Sequence, residues 1–307
     1  MREWEFKERG GVIGSKDKLI IQKINEERKQ AHSTRQNLYK LLEKEIGVPV
    51  ISFFTSFVYP VGIENSDVGM LQEALRKSDL SKGFALFLSS PGGDALAAER
   101  IINVCRAYSG TKKYQVIVAG MAKSAATLIC LGASEIIMSE TSELGPVDPQ
   151  IVIKEGNSVK RFSIYKLVES YKELFEAAVT TQGRVEPYLQ QLANYDEREI
   201  THFQSILELT KDITIKVLKD GMLKDDEEDK IEEKIKIFLT PERAKIHERP
   251  IYAREVKSCG LKVRVEDLRS KFWSTVCELY VRLNNYVSHN DIAKCIESKD
   301  YSFIAKI

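Results

Sequence analysis

The chain predicts an α/β fold with parallel strands, and three observations carry that expectation. Short apolar runs at 84–89, 114–119 and 135–138 are bounded by Gly, Pro and Ser, as in strands buried on both faces of a sheet. Between the first two, residues 95–108 carry Leu96, Ala97, Ile101, Val104 and Cys105 on one side at roughly a 3.6 period, which predicts a crossover helix. The runs lead into turns: Pro91-Gly92-Gly93-Asp94, then Gly120-Met121-Ala122-Lys123-Ser124, then Leu144-Gly145-Pro146-Val147-Asp148-Pro149. Strand, helix, strand therefore repeats, and parallel α/β sheets place their chemistry at such strand ends.

Taken in order, residues 1–15 read as irregular, broken by Gly10, Gly11 and Gly14. From 16 to 46 the pattern is helical and highly charged, with a thin apolar seam through Leu19, Ile20, Ile24, Ala31, Leu38, Leu41 and Leu42. That seam predicts packing on a partner subunit or along the side of the domain; a two-chain coiled coil is the alternative, on fewer than four clean heptads. The run 48–62, rich in Phe, Val and Ile, predicts one or two strands. Interrupted by Ser52, Thr55, Ser56 and Pro60, it falls short of the ~20 apolar residues a membrane span needs. A helix is predicted at 66–77. A short helix is predicted from Ala125 to Leu131.

Beyond the third strand, 151–154 reads as a strand stopped by Gly156-Asn157. Helices are predicted over 163–181, 187–193 and 197–219. The charged run from Lys224 to Lys234 reads as solvated, with no binding role. Thr240 and Pro241 predict the start of a short helix, and a further helix stops at Cys259-Gly260. An amphipathic helix is predicted over 265–285, and 286–307 reads as a marginal helix with a loose end.

Composition narrows the function. The chain has 307 residues and a net charge of +1 with mixed signs, so no basic face for nucleic acid is indicated. Five scattered cysteines with no CxxC pair predict reduced thiols in a cytoplasmic protein. The histidines (His32, His202, His247, His289) and cysteines are too dispersed for a metal site, and no cofactor is expected. Pro-Gly-Gly-Asp lacks the Lys-Ser/Thr of a phosphate loop, and no G-x-G-x-x-G fingerprint is present.

Two features can carry chemistry. Ser124 sits after a strand where a short apolar helix begins, near free backbone N–H groups. Gly92 and Gly93, after a different strand, can bring backbone close to a carbonyl because no Cβ intervenes. A serine and two N–H donors on separate loops are the minimum apparatus of acyl transfer. The plain alternative is a helix-capping serine and an ordinary turn. Asp94 reads as a helix cap with substrate binding as the alternative, and Asp148 as either a loop-shaping or a cleft-facing residue.

Ser-Ser-Pro-Gly-Gly-Asp (89–94), followed at this distance by Gly-Met-Ala-Lys-Ser-Ala-Ala (120–126), resembles the Clp-protease/crotonase superfamily. Residues 122–129 and 144–150 are most similar to the serine dehydrogenase proteinase family, relatives of signal-peptide peptidase A. The resemblance covers roughly 48–265. It implies a Clp/crotonase-like ββα spiral with helical additions at the N-terminus, middle and C-terminus. The implied organisation is a charged helical segment (1–46), a peptidase domain (47–265, with a helical arm at 163–237) and a helical tail (266–307).

By the same resemblance, the chain is an ATP-independent serine peptidase acting on peptides or proteins as a homo-oligomer. Ser124 matches the nucleophile, Gly93 and Ala125 the oxyanion N–H donors, with Gly92 and Lys123 beside them. The histidine of the Clp type falls near Pro146 and is absent, so a lysine is the expected base. Lys160 and Lys166 lie at a compatible separation; His247 is in a segment resembling one that borders the cleft; Lys123, adjoining the serine, reads as a substrate contact or oxyanion support, with the base role as its alternative. Membrane association is not favoured, although some relatives carry anchors. Two other readings stay open: a crotonase-like acyl-CoA enzyme and a non-catalytic scaffold. An activated serine should react with a fluorophosphonate; neither alternative should.

Overall fold

Apolar side chains alternating between two faces build the centre of the molecule. The computed structural model describes residues 19–26, 31–155, 158–240, 249–289 and 291–307, the side chains of 26 and 153–160 excepted. The charged N-terminal region forms α1 (Ile20–Glu26) and α2 (Ser33–Ile46). The Phe/Val/Ile-rich run gives one strand, β1 (Val50–Thr55). Then come α3 (Asn65–Arg76), β2 (Phe84–Ser89), α4 (Ala95–Ser109), β3 (Tyr114–Val118), β4 (Met121–Ala122), α5 (Ala125–Leu131), β5 (Glu135–Ser139) and β6 (Glu143–Leu144). Asp94 caps α4, accepting from the N–H groups of Leu96 at 2.7 Å and Ala97 at 3.2 Å.

The next strand is longer than its sequence suggests and has a partner: β7 (Gln150–Glu155) pairs with β8 (Ser158–Ser163) as an antiparallel hairpin. The arm follows as α6 (Ile164–Thr180), α7 (Glu186–Leu192) and α8 (Glu197–Lys219). The charged run after it is not simply solvated. Most of it belongs to α9 (Glu228–Leu239), whose Ile231, Ile235 and Phe238 are buried in the core while the acidic residues face out. The helix expected at Thr240-Pro241 lies outside the described residues. β9 (Ile251–Tyr252), α10 (Ala253–Ser258), β10 (Val263–Glu266) and α11 (Lys271–Tyr286) come next. The helix expected from 265 thus begins only after a strand.

The C-terminal segment corrects the sequence reading most clearly. Instead of a marginal helix and loose end, it forms β11 (Ile292–Glu297) and β12 (Ser302–Lys306). β11 pairs antiparallel with β1, Phe54 opposite Cys295, and every residue of β11 is buried. Burial of Ile292 and Ile296, at about 1.5–3 kcal/mol each, outweighs a weak local helical preference.

The strands form one seven-stranded sheet in the order β10-β5-β3-β2-β1-β11-β12, parallel from β10 to β1 and antiparallel beyond. Ile51, Phe53, Leu86, Leu88, Val116 and Met138 face one helical layer with α3, α4, α5, α8 and α9. Val50, Phe54, Phe87, Ile117 and Ile137 face the other, formed by α2 and α11 through Tyr39, Leu42, Trp273, Val276 and Leu279. Part of the thin N-terminal seam packs along the side of the domain, through Ile24, Leu38 and Leu42, while Leu19 and Leu41 stay exposed.

A buried ion pair ties the two ends of the chain together. Arg35 Nε and Nη2 donate to the two carboxylate oxygens of Glu297 at 2.8 and 2.7 Å, and both side chains are at most 1% exposed. Arg35 also stacks on the Tyr286 ring at 4.3 Å. Arg35→Met removes one partner and leaves a carboxylate unpaired in the core, so it should cost about 3 kcal/mol or more. The check is chemical denaturation, with an unchanged midpoint as the contrary outcome.

Candidate active site

The carboxyl ends of β2, β3 and β5 open on one side of the sheet, where short pairings stack their loops together. Ser90 is bridged to Ala122, β4 pairs parallel with β6, and β6 pairs antiparallel with β9. The loop after β2 is anchored to Ile63. The Ile63 N–H donates to Gly92 O at 2.7 Å and the Asp94 N–H to Ile63 O at 2.9 Å. Gly93, between those two contacts, turns its own N–H away from Ile63, as parallel pairing requires.

Gly92 (φ 106°) and Gly93 (φ 152°) hold conformations in which a side chain is strained, and neither has room for one. A Cβ on Gly93 would run into the Ile63 backbone. One on Gly92 would sit 2.7 Å from Ser124 Cβ and 2.8 Å from Lys123 O. The Pro-Gly-Gly loop therefore lies directly against the serine.

Ser124 is half-buried at the start of α5, with φ 50° and ψ −119°. For a residue with a Cβ that geometry costs about 1–3 kcal/mol and persists only where the surroundings enforce it. Its hydroxyl does not cap the helix and has no hydrogen-bond partner among the described residues. Ala126 N–H donates to Lys123 O at 2.9 Å and Leu128 N–H to Ser124 O at 3.1 Å. The amides of Gly93 and Ala125 find no acceptor among the described residues. A free hydroxyl beside two unengaged N–H donors can present a nucleophile and an oxyanion site to one carbonyl.

Lys123 is not free beside the serine. Its ammonium lies 2.9 Å from Glu143 Oε1 and donates to Leu144 O at 3.2 Å, both side chains being less than a fifth exposed. Thr127, one turn into α5, donates to Ala122 O at 2.8 Å and accepts from Gly145 N–H at 3.0 Å. Glu143 and Thr127 were not singled out in the sequence. A hydroxyl inside the wholly buried run Ala-Ala-Thr-Leu-Ile-Cys-Leu was a legible signal, because a buried polar group needs a partner. Glu143 carried no such signal, since its pairing depends on β4–β6 register.

The other candidate bases are spread out. Lys166 is exposed on the first turn of α6, its ammonium 5.8 Å from the Tyr165 ring centre. The Lys160 side chain and His247 lie outside the described residues. His32 Nε2 contacts Ser298 O at 2.6 Å and His289 Nδ1 contacts Asn285 O at 2.8 Å, far along the chain from the serine. Asp148 is buried and lines a cavity of about 490 Å³ between its loop, α6, α8 and α9. Among the described residues no His/Cys/Asp/Glu group could hold a metal ion, and no helix is long and apolar enough to cross a membrane. Cys105, Cys130, Cys259 and Cys295 are buried thiols; burial pushes that of Cys105 up to about 12.

A mixed α/β sheet with a serine on a strained strand-to-helix turn is a framework of serine hydrolases. A family model described as ClpP-like SDH-type serine proteinase matches residues 12–180, more than half of the chain. The chain belongs to that family. Two uncharacterized proteins of Methanocaldococcus jannaschii resemble it: one is 39% identical over 105 residues, 34% of this chain and 33% of the relative. The other is 36% identical over 106 residues, 34% and 32% of the respective lengths. The chain thus spans about a third of the length of these relatives. A solved variant of the 1510-N membrane-bound stomatin-specific protease is 18% identical, covering 39% of this chain and 61% of that one, with a TM-score of 0.29.

Proposed function

We propose that the chain is an ATP-independent serine peptidase with Ser124 as its nucleophile. In this reading Ser124 Oγ attacks a peptide carbonyl carbon, its proton passing to a base as the C–O bond forms. The carbonyl oxygen, now negative, is held by the N–H groups of Gly93 and Ala125. Collapse expels the amine, which takes the proton, and water then hydrolyses the acyl-enzyme by the same route. The observation that carries the reading is the Ser124 turn: a strained serine, uncapped and unbonded among the described residues, with the Pro-Gly-Gly loop packed directly against it.

With the Lys123 ammonium engaged by Glu143, the base is assigned to a lysine elsewhere, Lys160 on β8 or Lys166 on α6, with His247 as the remaining candidate. Such a lysine needs desolvation to be unprotonated near neutrality. The fold is proposed to be Clp/crotonase-like, the arm of 163–237 roofing a cleft closed in a homo-oligomer. The test is labelling with a fluorophosphonate, wild type beside Ser124→Ala, read by intact mass. One adduct on the wild type and none on the variant is expected. No adduct on either would sink the mechanism and favour a scaffold or acyl-CoA role.

A further inference from the structure

Lys123 immediately precedes Ser124, yet its side chain reaches across to the next loop. The stem lies over Gly145, so closely that a Cβ there would sit 2.7 Å from Lys123 Cδ, and the ammonium ends between Glu143 Oε1 and Leu144 O. The backbone pairing of the two segments joins only Met121 with Glu143 and Ala122 with Leu144. It stops two residues short of the strained serine. Beyond it, two side chains continue the connection: Lys123 before Ser124 and Thr127 after it, the latter through Gly145 N–H. Both close on the same three residues, 143–145.

We propose that the Lys123–Glu143 ion pair is a brace that holds Ser124 in its strained turn. Lys123 and Glu143 are then positioning residues acting through Ser124, and their effect on reactivity rests on the reading of Ser124 as the nucleophile. A strained backbone conformation relaxes unless something opposes it. The brace is suited to that task because it is largely buried and because its donor is the residue next to the strain. A relaxed turn displaces the hydroxyl from the Gly93 and Ala125 amides, and displacement of about 1 Å can cost about 100-fold in rate.

Three variants test this: Lys123→Met, Glu143→Gln and Lys123→Arg. Fluorophosphonate inactivation is measured against probe concentration, with hydrogen exchange followed over residues 120–128 and 143–147 of the same folded samples. Lys123→Met and Glu143→Gln should each lower the limiting inactivation rate about 10- to 100-fold, with little change in the half-saturating probe concentration. Both should speed exchange in the two segments, and Lys123→Arg, which keeps the charge and can reach Glu143, should recover most of both. A merely destabilising change would lower the unfolding temperature while the folded fraction reacted at the wild-type rate; that result overturns the brace. So does an inert Lys123→Arg with protected amides, which would make the amine itself a reacting group. Should the wild type take no label, the peptidase reading fails and exchange alone decides: unchanged exchange in Lys123→Met overturns the brace, and faster exchange in both segments supports it.

Discussion

Ser124→Gly should yield a protein that is inactive but harder to unfold. The native turn has φ 50° and ψ −119°, which costs a residue with a Cβ about 1–3 kcal/mol. Glycine adopts it without that penalty, although its freer unfolded chain takes back about 0.5–1 kcal/mol. The net expectation is a gain of about 1 kcal/mol, a rise of roughly 2 °C for a chain of this size. Ser124→Ala keeps the Cβ and hence the strain, so its unfolding temperature should stay near that of the wild type. Both lack the hydroxyl, and peptide hydrolysis should fall by about 10⁴-fold or more in each. Calorimetry and hydrolysis of a peptide substrate check the two halves separately. An active Ser124→Ala would remove Ser124 from the chemistry, and a destabilised Ser124→Gly would mean that the turn is not under strain.

That a strained serine stands at the head of α5 was partly legible in the chain. The start of α5 follows from the apolar run after Ser124, and the glycine loop follows from Pro91-Gly92-Gly93, because turn chemistry is local. The parallel strands and α4 were equally local, each written into a few consecutive side chains. What escaped was non-local. The six residues of β11 are too short to declare themselves, and they become a strand because β1 offers an unpaired edge some 240 positions earlier in the chain. Arg35 and Glu297 both look like surface charges in sequence and meet only because α2 packs on the sheet face to which β11 turns Glu297. The partition within the site has the same cause. Ser124 and the Gly93 and Ala125 amides come from two short turns, whereas the partner of Lys123 depends on which way a side chain is directed. A base drawn from β8 or the arm, at Lys160 or Lys166, depends on how those elements fold back.

The same substitution, glycine to alanine, should give opposite results at three positions. Gly69 lies in α3 with open space around it, and there a Cβ should stabilise by about 1 kcal/mol through helix propensity. At Gly93 the Cβ meets the Ile63 backbone, which cannot yield without giving up the two hydrogen bonds that anchor the loop. Overpacking of that kind should cost about 1–3 kcal/mol. Displacing the Gly93 amide should also cost about 10²–10³-fold in hydrolysis, the usual loss for one oxyanion donor. At Gly92 the Cβ meets Ser124 Cβ itself at 2.7 Å, with Ala125 N 3.3 Å away, so the serine turn is pushed rather than the Gly93 amide. Gly92→Ala should therefore slow fluorophosphonate labelling by about 100-fold. Unfolding midpoints and labelling rates for the three variants, measured side by side, check the set. Wild-type labelling by folded Gly92→Ala would separate the loop from the serine's chemistry. Wild-type hydrolysis by Gly93→Ala would leave Ala125 without its second donor, and the oxyanion would have to be held elsewhere.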